Sequence, residues 1–310
     1  MGKYRHVAVL MGGWSAEREV SLSSGKPCAD ALEGAGYRVT RVDAGRDLGH
    51  VLTALKPDVC FNALHGRWGE DGCVQGLLEV LGIPYTHSGV LASALAMHKV
   101  RAKTVMREAG IPVVDGIMVR RADALAGHPL EPPYVIKPYN EGSSVGVIIV
   151  RPGSNKRPEA ILPKDKSPDE LVLAERYIHG RELTCAVIDG APTDIIDIIA
   201  AANLEFYDYE AKYAPGGSRH VLPARITPKI YQYIQELTLK AHQALGCRGV
   251  SRADFRYDDR PNGTGEVVCL EVNTQPGMTG TSLVPEMAAH RGLGFGELVS
   301  WIVEDASLNR

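Results

Sequence analysis

The sequence predicts an α/β unit at its N-terminal end that passes into mixed α+β structure, and three observations carry that prediction. Residues 6–81 alternate strand and helix signals, with glycine-bearing loops between them. From about residue 180 the apolar side chains mostly alternate with period two, the pattern of antiparallel strands. At 310 residues the chain is too long for one ordinary core and suits about two or three compact units.

Taken in order, strands are expected over 6–10, 37–42 and 58–64, and helices over 21–35 and 74–81. In such a parallel unit, ligands collect at the carboxyl ends of the strands. Two loops stand there, 11–21 and 64–72. Near residue 100 the texture changes to a basic amphipathic helix over 99–109, stopped by Gly110-Ile111-Pro112. Strands follow over 134–138, 147–150 and 171–178, with a glycine and serine loop at 140–146 and a surface connection at 151–169. A third unit holds mostly antiparallel strands, a polar excursion over 202–224, a helix over 229–246 and a closing helix over 295–306. The expected divisions are 1–99, 100–180 and 181–310, with no internal repeat.

Composition narrows the function classes. Hydrophobic content of 45% with 23% charged residues is that of a soluble globular protein, and 6% aromatic residues argue against a stacking surface for single-stranded nucleic acid. A net charge of −3 agrees, so phosphate-bearing partners must be met by local Lys and Arg. Neither a nucleic acid nor a membrane is expected as partner, because the chain opens into a strand and holds no span of about 20 apolar residues. The cytoplasm is the expected compartment. Cysteines 28, 60, 73, 185, 247 and 269 show no paired spacing and read as reduced thiols, mostly in apolar stretches.

The most informative chemistry lies in Arg252-Ala253-Asp254-Phe255-Arg256-Tyr257, a turn with Asp, Pro, Asn and Gly, and the arm from Glu266 to Met278. Both arms alternate as a β-hairpin does, which puts Arg252 with Asp254 and Glu271 with Asn273 on one face. Folding about the turn sets Asp254 opposite Glu271. Facing carboxylates repel unless a hard cation sits between them, and all-oxygen ligation suits Mg²⁺. Mg²⁺ usually completes its shell with water and nucleotide phosphates, so the hairpin suggests an ATP site. A solvated polar face is the bland alternative.

Other motifs are weaker alone. Glu141-Gly142-Ser143-Ser144-Val145-Gly146 follows a strand ending in Lys137, and its backbone, hydroxyls and ammonium suit phosphate, although a plain hairpin loop would look similar. The strand 171–178 and Glu182 offer backbone groups to an adenine and a carboxylate to a ribose, or form a simple edge. Phe206, Lys212, three tyrosines and two glycines crowd the polar excursion, which suggests a lid over a reacting centre. Ser15-Ala16-Glu17-Arg18 reads as a helix start, where Glu17 can also pair with a substrate ammonium. His65 after a strand is structural or functional on equal terms.

Together, Gly12-Gly13-x-Ser15-Ala16-Glu17-Arg18, His65-Gly66-x-x-Gly69-Glu70-Asp71-Gly72, Lys137-Pro138-x-x-Glu141-Gly142-Ser143-Ser144, Tyr207-Asp208-Tyr209-x-x-Lys212-Tyr213 and Glu271-x-Asn273-Thr274-x-Pro276-Gly277-Met278-Thr279 resemble the D-alanine-D-alanine ligases, which are ATP-grasp enzymes. The blocks run in family order from about 7 to 303. The resemblance implies a three-domain ATP-grasp fold with an N-terminal parallel α/β domain. It also implies ATP with two Mg²⁺ (or Mn²⁺), D-alanine as substrate, a cell-wall peptidoglycan product and a homodimer. Lys99, Lys137 and Ser144 would approach the phosphates, and Glu175 and Glu182 the adenosine. The Arg176 and Ile178 backbone would frame the adenine, with Phe206 packed on it. Asp254, Glu271 and Asn273 match metal ligands; Glu17 with His65 matches the first D-alanine site, and Ser282 with Leu283 the second. Arg252 and Gly277 match oxyanion stabilisers, Lys212 offsets developing charge, and Ser143 and Tyr213 join Glu17 in a hydrogen-bonded triad.

The implied chemistry passes through an acyl phosphate, because a free carboxylate acylates poorly. Three positions depart from the family pattern: Gln275 where serine is frequent, Arg176 where lysine is common, and Trp68, which enlarges its loop. A D-alanine-D-lactate ligase is the nearest rival, opposed by Tyr213; a catalytically silent nucleotide-binding protein is the other, opposed by intact metal-ligand positions.

Overall fold

The computed structural model describes residues 2–142, 146–153, 158–200 and 217–310. The chain opens with β1 (His6–Met11), α1 (Arg18–Gly34), β2 (Arg38–Asp43), α2 (Leu48–Leu55), β3 (Val59–Asn62), α3 (Cys73–Leu81) and α4 (Val90–Met97). β1 runs in the middle of a parallel sheet of order β2-β1-β3. Every residue of β1 is buried, as expected of a parallel strand covered on both faces. Val7, Val9 and Met11 point into one core, whereas Ala8 and Leu10 point into another against Leu52 and Leu78. α1 lies close on the sheet because Gly25 has no side chain: a Cβ there would come within 2.6 Å of Met11 Cβ.

The next stretch comprises α5 (Lys99–Glu108), β4 (Gly116–Arg120), α6 (Arg121–Ala126), β5 (Tyr134–Lys137), β6 (Ile148–Val150), α7 (Pro158–Ile161) and β7 (Leu171–Arg176). Its four strands pair antiparallel in the order β4-β7-β5-β6 over a small core that includes Tyr134, Ile136, Val150 and Val172. The remainder holds β8 (Arg181–Ile188), β9 (Ala191–Pro192), β10 (Ile196–Ala200), β11 (Ser218–Val221), α8 (Pro228–Ala244), β12 (Ser251–Tyr257), β13 (Val267–Asn273), α9 (Leu283–His290) and α10 (Phe295–Asp305). The larger sheet runs β11-β10-β8-β12-β13, with β9 on β8. α8 starts with Pro228 in its first turn and buries Ile234, Leu237 and Ala241 against Leu183, Phe255 and Cys269.

Several details differ from the sequence expectation. α1 begins at Arg18 rather than 21, and α2, α4, β4, α6, α7 (inside the connection expected over 151–169) and α9 were not foreseen. Ser218–Val221, inside the excursion expected to be irregular, forms β11 against β10. The closing helix α10 shares its core with the first sheet, as Ile302 and Val303 pack among Val7, Val9 and Val59.

The hairpin of β12 and β13 pairs Arg252 with Asn273 and Asp254 with Glu271, the expected register, but Phe255 then pairs with Cys269. Leu270 is therefore an extra residue, a β-bulge. Cys269 stays in the core with Phe255, whereas Val268 and Leu270 join Val114 and Ile178 in a separate apolar cluster on the other face.

Candidate active site

Between the four-stranded and the larger sheet opens a cleft of about 930 Å³. Val114, Val135, Ile149, Ile178 and Leu270 supply apolar walls suited to a flat ring, and Lys99, Lys137, Glu182, Asp254 and Glu271 supply charge. Lys137 ends β5 and Glu175 lies on the adjacent β7, so sheet pairing brings both to one wall. Glu175 is 2% exposed and is held by Lys137 at 2.7 Å and by Lys103. Burial disfavours the Glu175 carboxylate, yet the Lys137 and Lys103 charges outweigh it and hold the carboxyl below its ordinary value. Burial likewise opposes the Lys137 ammonium, but Glu175 and Glu271 raise it above its ordinary value. Lys103 loses the contest: burial and then Lys137 push it down to about 8 against the pull of Glu175.

At the other end of the same cleft, Arg176 turns its guanidinium to Glu266 in a bidentate pair of 2.7 and 2.9 Å. Its backbone N–H donates to the Asp115 carbonyl at 3.2 Å. The Ile178 carbonyl accepts from Arg256 Nε at 3.2 Å, and the same guanidinium reaches Glu182 at 3.3 Å.

The hairpin carboxylates line the same cleft. Asp254 accepts two bonds from Arg252, at 2.9 and 2.8 Å, and one from Thr184 Oγ1 at 2.6 Å. Glu271 pairs with Lys99 Nζ at 3.2 Å, and the same ammonium donates to the Glu141 carbonyl at 2.7 Å. Asn273 Oδ1 accepts the Gln275 N–H at 2.9 Å. Among the described residues no three His, Cys, Asp or Glu gather as a metal cluster. The donor set at the hairpin is two carboxylates and an amide, all hard oxygen donors beside two cations, which fits Mg²⁺ or Mn²⁺ held jointly with phosphate oxygens.

A second cleft of about 910 Å³ adjoins the first and shares Lys99, Glu141, Gly142 and Glu271 with it. It brings together Glu17, His65, Arg252, Asn273, Gly277, Ser282 and Leu283. Glu17 stands at the N-cap position of α1, without a capping bond from its side chain, and is 6% exposed. Its carboxylate lies where a side chain at Gly66 would stand, and the φ of +71° at Gly66 is itself one that glycine adopts without strain. His65 is fixed from both ring nitrogens, Nδ1 to Glu70 at 3.0 Å and Nε2 to Ser24 at 2.9 Å. Ser24 Oγ also accepts the Met278 N–H at 3.2 Å, tying α1 to the loop after β13. Ser282 stands at the N-cap position of α9, and its Oγ accepts the Thr279 N–H at 2.9 Å rather than a bond from the helix.

Ser143, Ser144, Phe206, Lys212 and Tyr213 lie outside the described residues. All other sequence-derived candidates line one or both clefts. The sequence reading missed Lys103, Ser24, Arg256 and the roles of Glu70 and Gln275. Lys103 could have been found, since it stands four residues after Lys99 on the same helix face. Ser24, Arg256 and Gln275 act through contacts across elements and leave no local signal.

The family profile described as D-ala D-ala ligase C-terminus matches residues 105–304, and that described as D-ala D-ala ligase N-terminus matches 46–88. A Methylobacterium radiotolerans protein named D-alanine--D-alanine ligase is 68% identical over 306 residues, 99% of each chain. A Parvibaculum lavamentivorans protein of the same name is 63% identical over 310 residues, 100% of each. Among solved structures, the D-alanine--D-alanine ligase of Bacillus anthracis aligns with a TM-score of 0.80 at 34% identity over 97% of both chains. The same enzyme complexed with ATP aligns with a TM-score of 0.78 at 31% identity, again over 97% of both chains. The α/β architecture with its two antiparallel sheets is thus that of the ATP-grasp ligases, and the chain belongs to the D-alanine-D-alanine ligase family.

Proposed function

We propose that the chain joins two D-alanines into D-alanyl-D-alanine at the expense of ATP, through a D-alanyl phosphate, for peptidoglycan precursor synthesis. The observation that carries this reading is the wall common to the two clefts: Lys99, Glu141, Gly142 and Glu271 border both, so a γ-phosphate in one can meet a carboxylate in the other. The names of the full-length relatives, and of the Bacillus anthracis structure with ATP, support it. No helix among the described residues is long and apolar enough to cross a membrane. A cytoplasmic homodimer built from domains 1–99, 100–180 and 181–310, with a lid over 202–224, completes the proposal.

In this reading the first D-alanine places its ammonium at Glu17, with His65 beside it. Its carboxylate oxygen attacks the γ-phosphorus, the new O–P bond forms, and the bond to the β-phosphate oxygen breaks to release ADP. Lys99, Lys137 and Ser144 bind the phosphates. The Arg176 and Ile178 backbone frames the adenine, Phe206 covers it, Glu182 takes the ribose, and Glu175 acts through the lysines it holds. Mg²⁺ or Mn²⁺, when held by Asp254, Glu271 and Asn273, shields the triphosphate charge. The second D-alanine, seated by Ser282 and Leu283, loses a proton and attacks the acyl carbon. Arg252 and the Gly277 N–H meet the developing oxyanion, and Lys212 the departing phosphate. Ser143 and Tyr213 bond with Glu17 to keep the closed site dry.

The test is ADP release with product identification, offering D-alanine and D-lactate together at neutral pH. D-alanine-dependent ADP release with dipeptide as the main product is expected. Exclusive depsipeptide would transfer the chain to the D-lactate reading, and no ADP release would leave a nucleotide-binding protein without catalysis.

A further inference from the structure

Gln275 follows the proposed metal ligand Asn273 by two residues, is 2% exposed, and does not line either cleft. Both halves of its side-chain amide are taken by the first unit of the chain. Its Nε2 donates to the Leu64 carbonyl, one peptide before His65, and its Oε1 accepts from Asn62 Nδ2 at 2.7 Å. Asn62 is itself committed: the same Nδ2 donates to the Gly69 carbonyl at 2.9 Å, and its Oδ1 accepts the Leu64 N–H at 3.2 Å. The Gln275 backbone N–H meanwhile donates to Asn273 Oδ1.

One side chain thus holds the entry of the His65 loop directly at Leu64 and, through Asn62, is linked to its far side at Gly69, while being covalently continuous with Asn273 and Gly277. We infer that Gln275 is a positioning residue that sets the affinity of the first amino-acid pocket by holding the His65 loop against the end of β13. A buried amide does this well because each unmade bond would leave a polar group without water, so the paired arrangement is strongly preferred over a loosened one. Serine at this position would be too short to reach Asn62 and the Leu64 carbonyl together. The inference rests on the functional reading above for the identity of the pocket, and on geometry alone for the clamp.

The experiment uses the full chain, with Gln275→Met, which fills the same volume without hydrogen bonds, Gln275→Ser and Gln275→Glu. Steady-state kinetics would separate KM for the first D-alanine, KM for the second, KM for ATP and kcat, and amide hydrogen exchange would follow residues 62–70. The first-site KM should rise about tenfold in Gln275→Met and Gln275→Ser, with the ATP KM within about twofold. Gln275→Glu keeps the acceptor for Asn62 and should recover part of that loss. Exchange over 62–70 should quicken in the Met and Ser variants. A lowered Tm with the ratio of the two D-alanine KM values unchanged would overturn the inference, because a purely structural residue behaves that way. Unchanged exchange would overturn it too. A wild-type chain that makes no dipeptide would end the functional reading, and exchange alone would then decide the clamp, quickened exchange upholding it.

Discussion

Glu175 and Glu271 face the same cleft from neighbouring walls, and both are held by lysine, yet they are completed differently. The Glu175 side chain is 3% exposed and sits between Lys103 and Lys137, so this carboxylate meets its partners inside the protein. The Glu271 side chain is 30% exposed and meets Lys99 at 3.2 Å on the border between two clefts. A carboxylate in the first setting cannot exchange its partners without opening the core. One in the second setting can trade a protein cation for a bound one at little cost to the fold. Burial, more than residue type, therefore separates a carboxylate fixed in the wall from one open to a bound cation.

The strongest way to break this comparison is Glu175→Gln, which leaves two buried ammonium groups facing an amide. It should lower unfolding stability by about 3–5 kcal/mol, measured by denaturant titration. A loss no larger than that of an exposed substitution would sink the distinction. The pH dependence follows with its sign. Because the folded Glu175 carboxyl lies below its ordinary 4.5, its contribution is complete above that value and disappears as pH falls through the folded value. Lys103 works in the same direction at higher pH: the native state sheds its proton near 8 while the unfolded chain keeps it to 10.5, so stability rises with pH between those values. Lys103→Met should flatten that growth in unfolding curves taken on either side of 8.

Glu271→Gln should do the reverse of Glu175→Gln, with ATP-dependent turnover down about a hundredfold and stability within about 1 kcal/mol of wild type. Unfolding at unchanged turnover would contradict it. The smallest effect is expected at Arg176→Lys, since this half-exposed guanidinium binds Glu266 at the surface and exposed pairs contribute about 1 kcal/mol at most. The KM for ATP should stay within about twofold. A larger rise would mean that the side chain leaves Glu266 for the nucleotide.

Much of the site was legible in the sequence because the hairpin is local: period-two spacing about one turn sufficed to set Asp254 against Glu271. The alternating signals of the first sheet were legible for the same reason. Legibility ended where contacts join distant segments. Lys103 reads as one more cation on a basic helix until β7 brings Glu175 to it. Ser24 is unremarkable, and Gln275 is visible only as a departure without a reason, until α1 and the loops after β3 and β13 meet. Helix α4, Val90–Met97, is apolar nearly all round and so lacks the one-sided periodicity that reveals a surface helix. The departure of Arg176 from the family pattern was visible, but its partner Glu266 lies on the far arm of the hairpin, so its direction was not.

The extra residue in β13 has a consequence for how this cleft can evolve. By slipping the strand out of phase at Leu270, the chain sets a greasy seat and an acidic grip at consecutive positions, 270 and 271, on one side of a strand. Strict alternation would have sent one of the pair into the interior. Point changes can tune either position, but losing or gaining a single codon in this arm would turn the whole grip away from the cleft, which makes the segment far less forgiving than the loops around it.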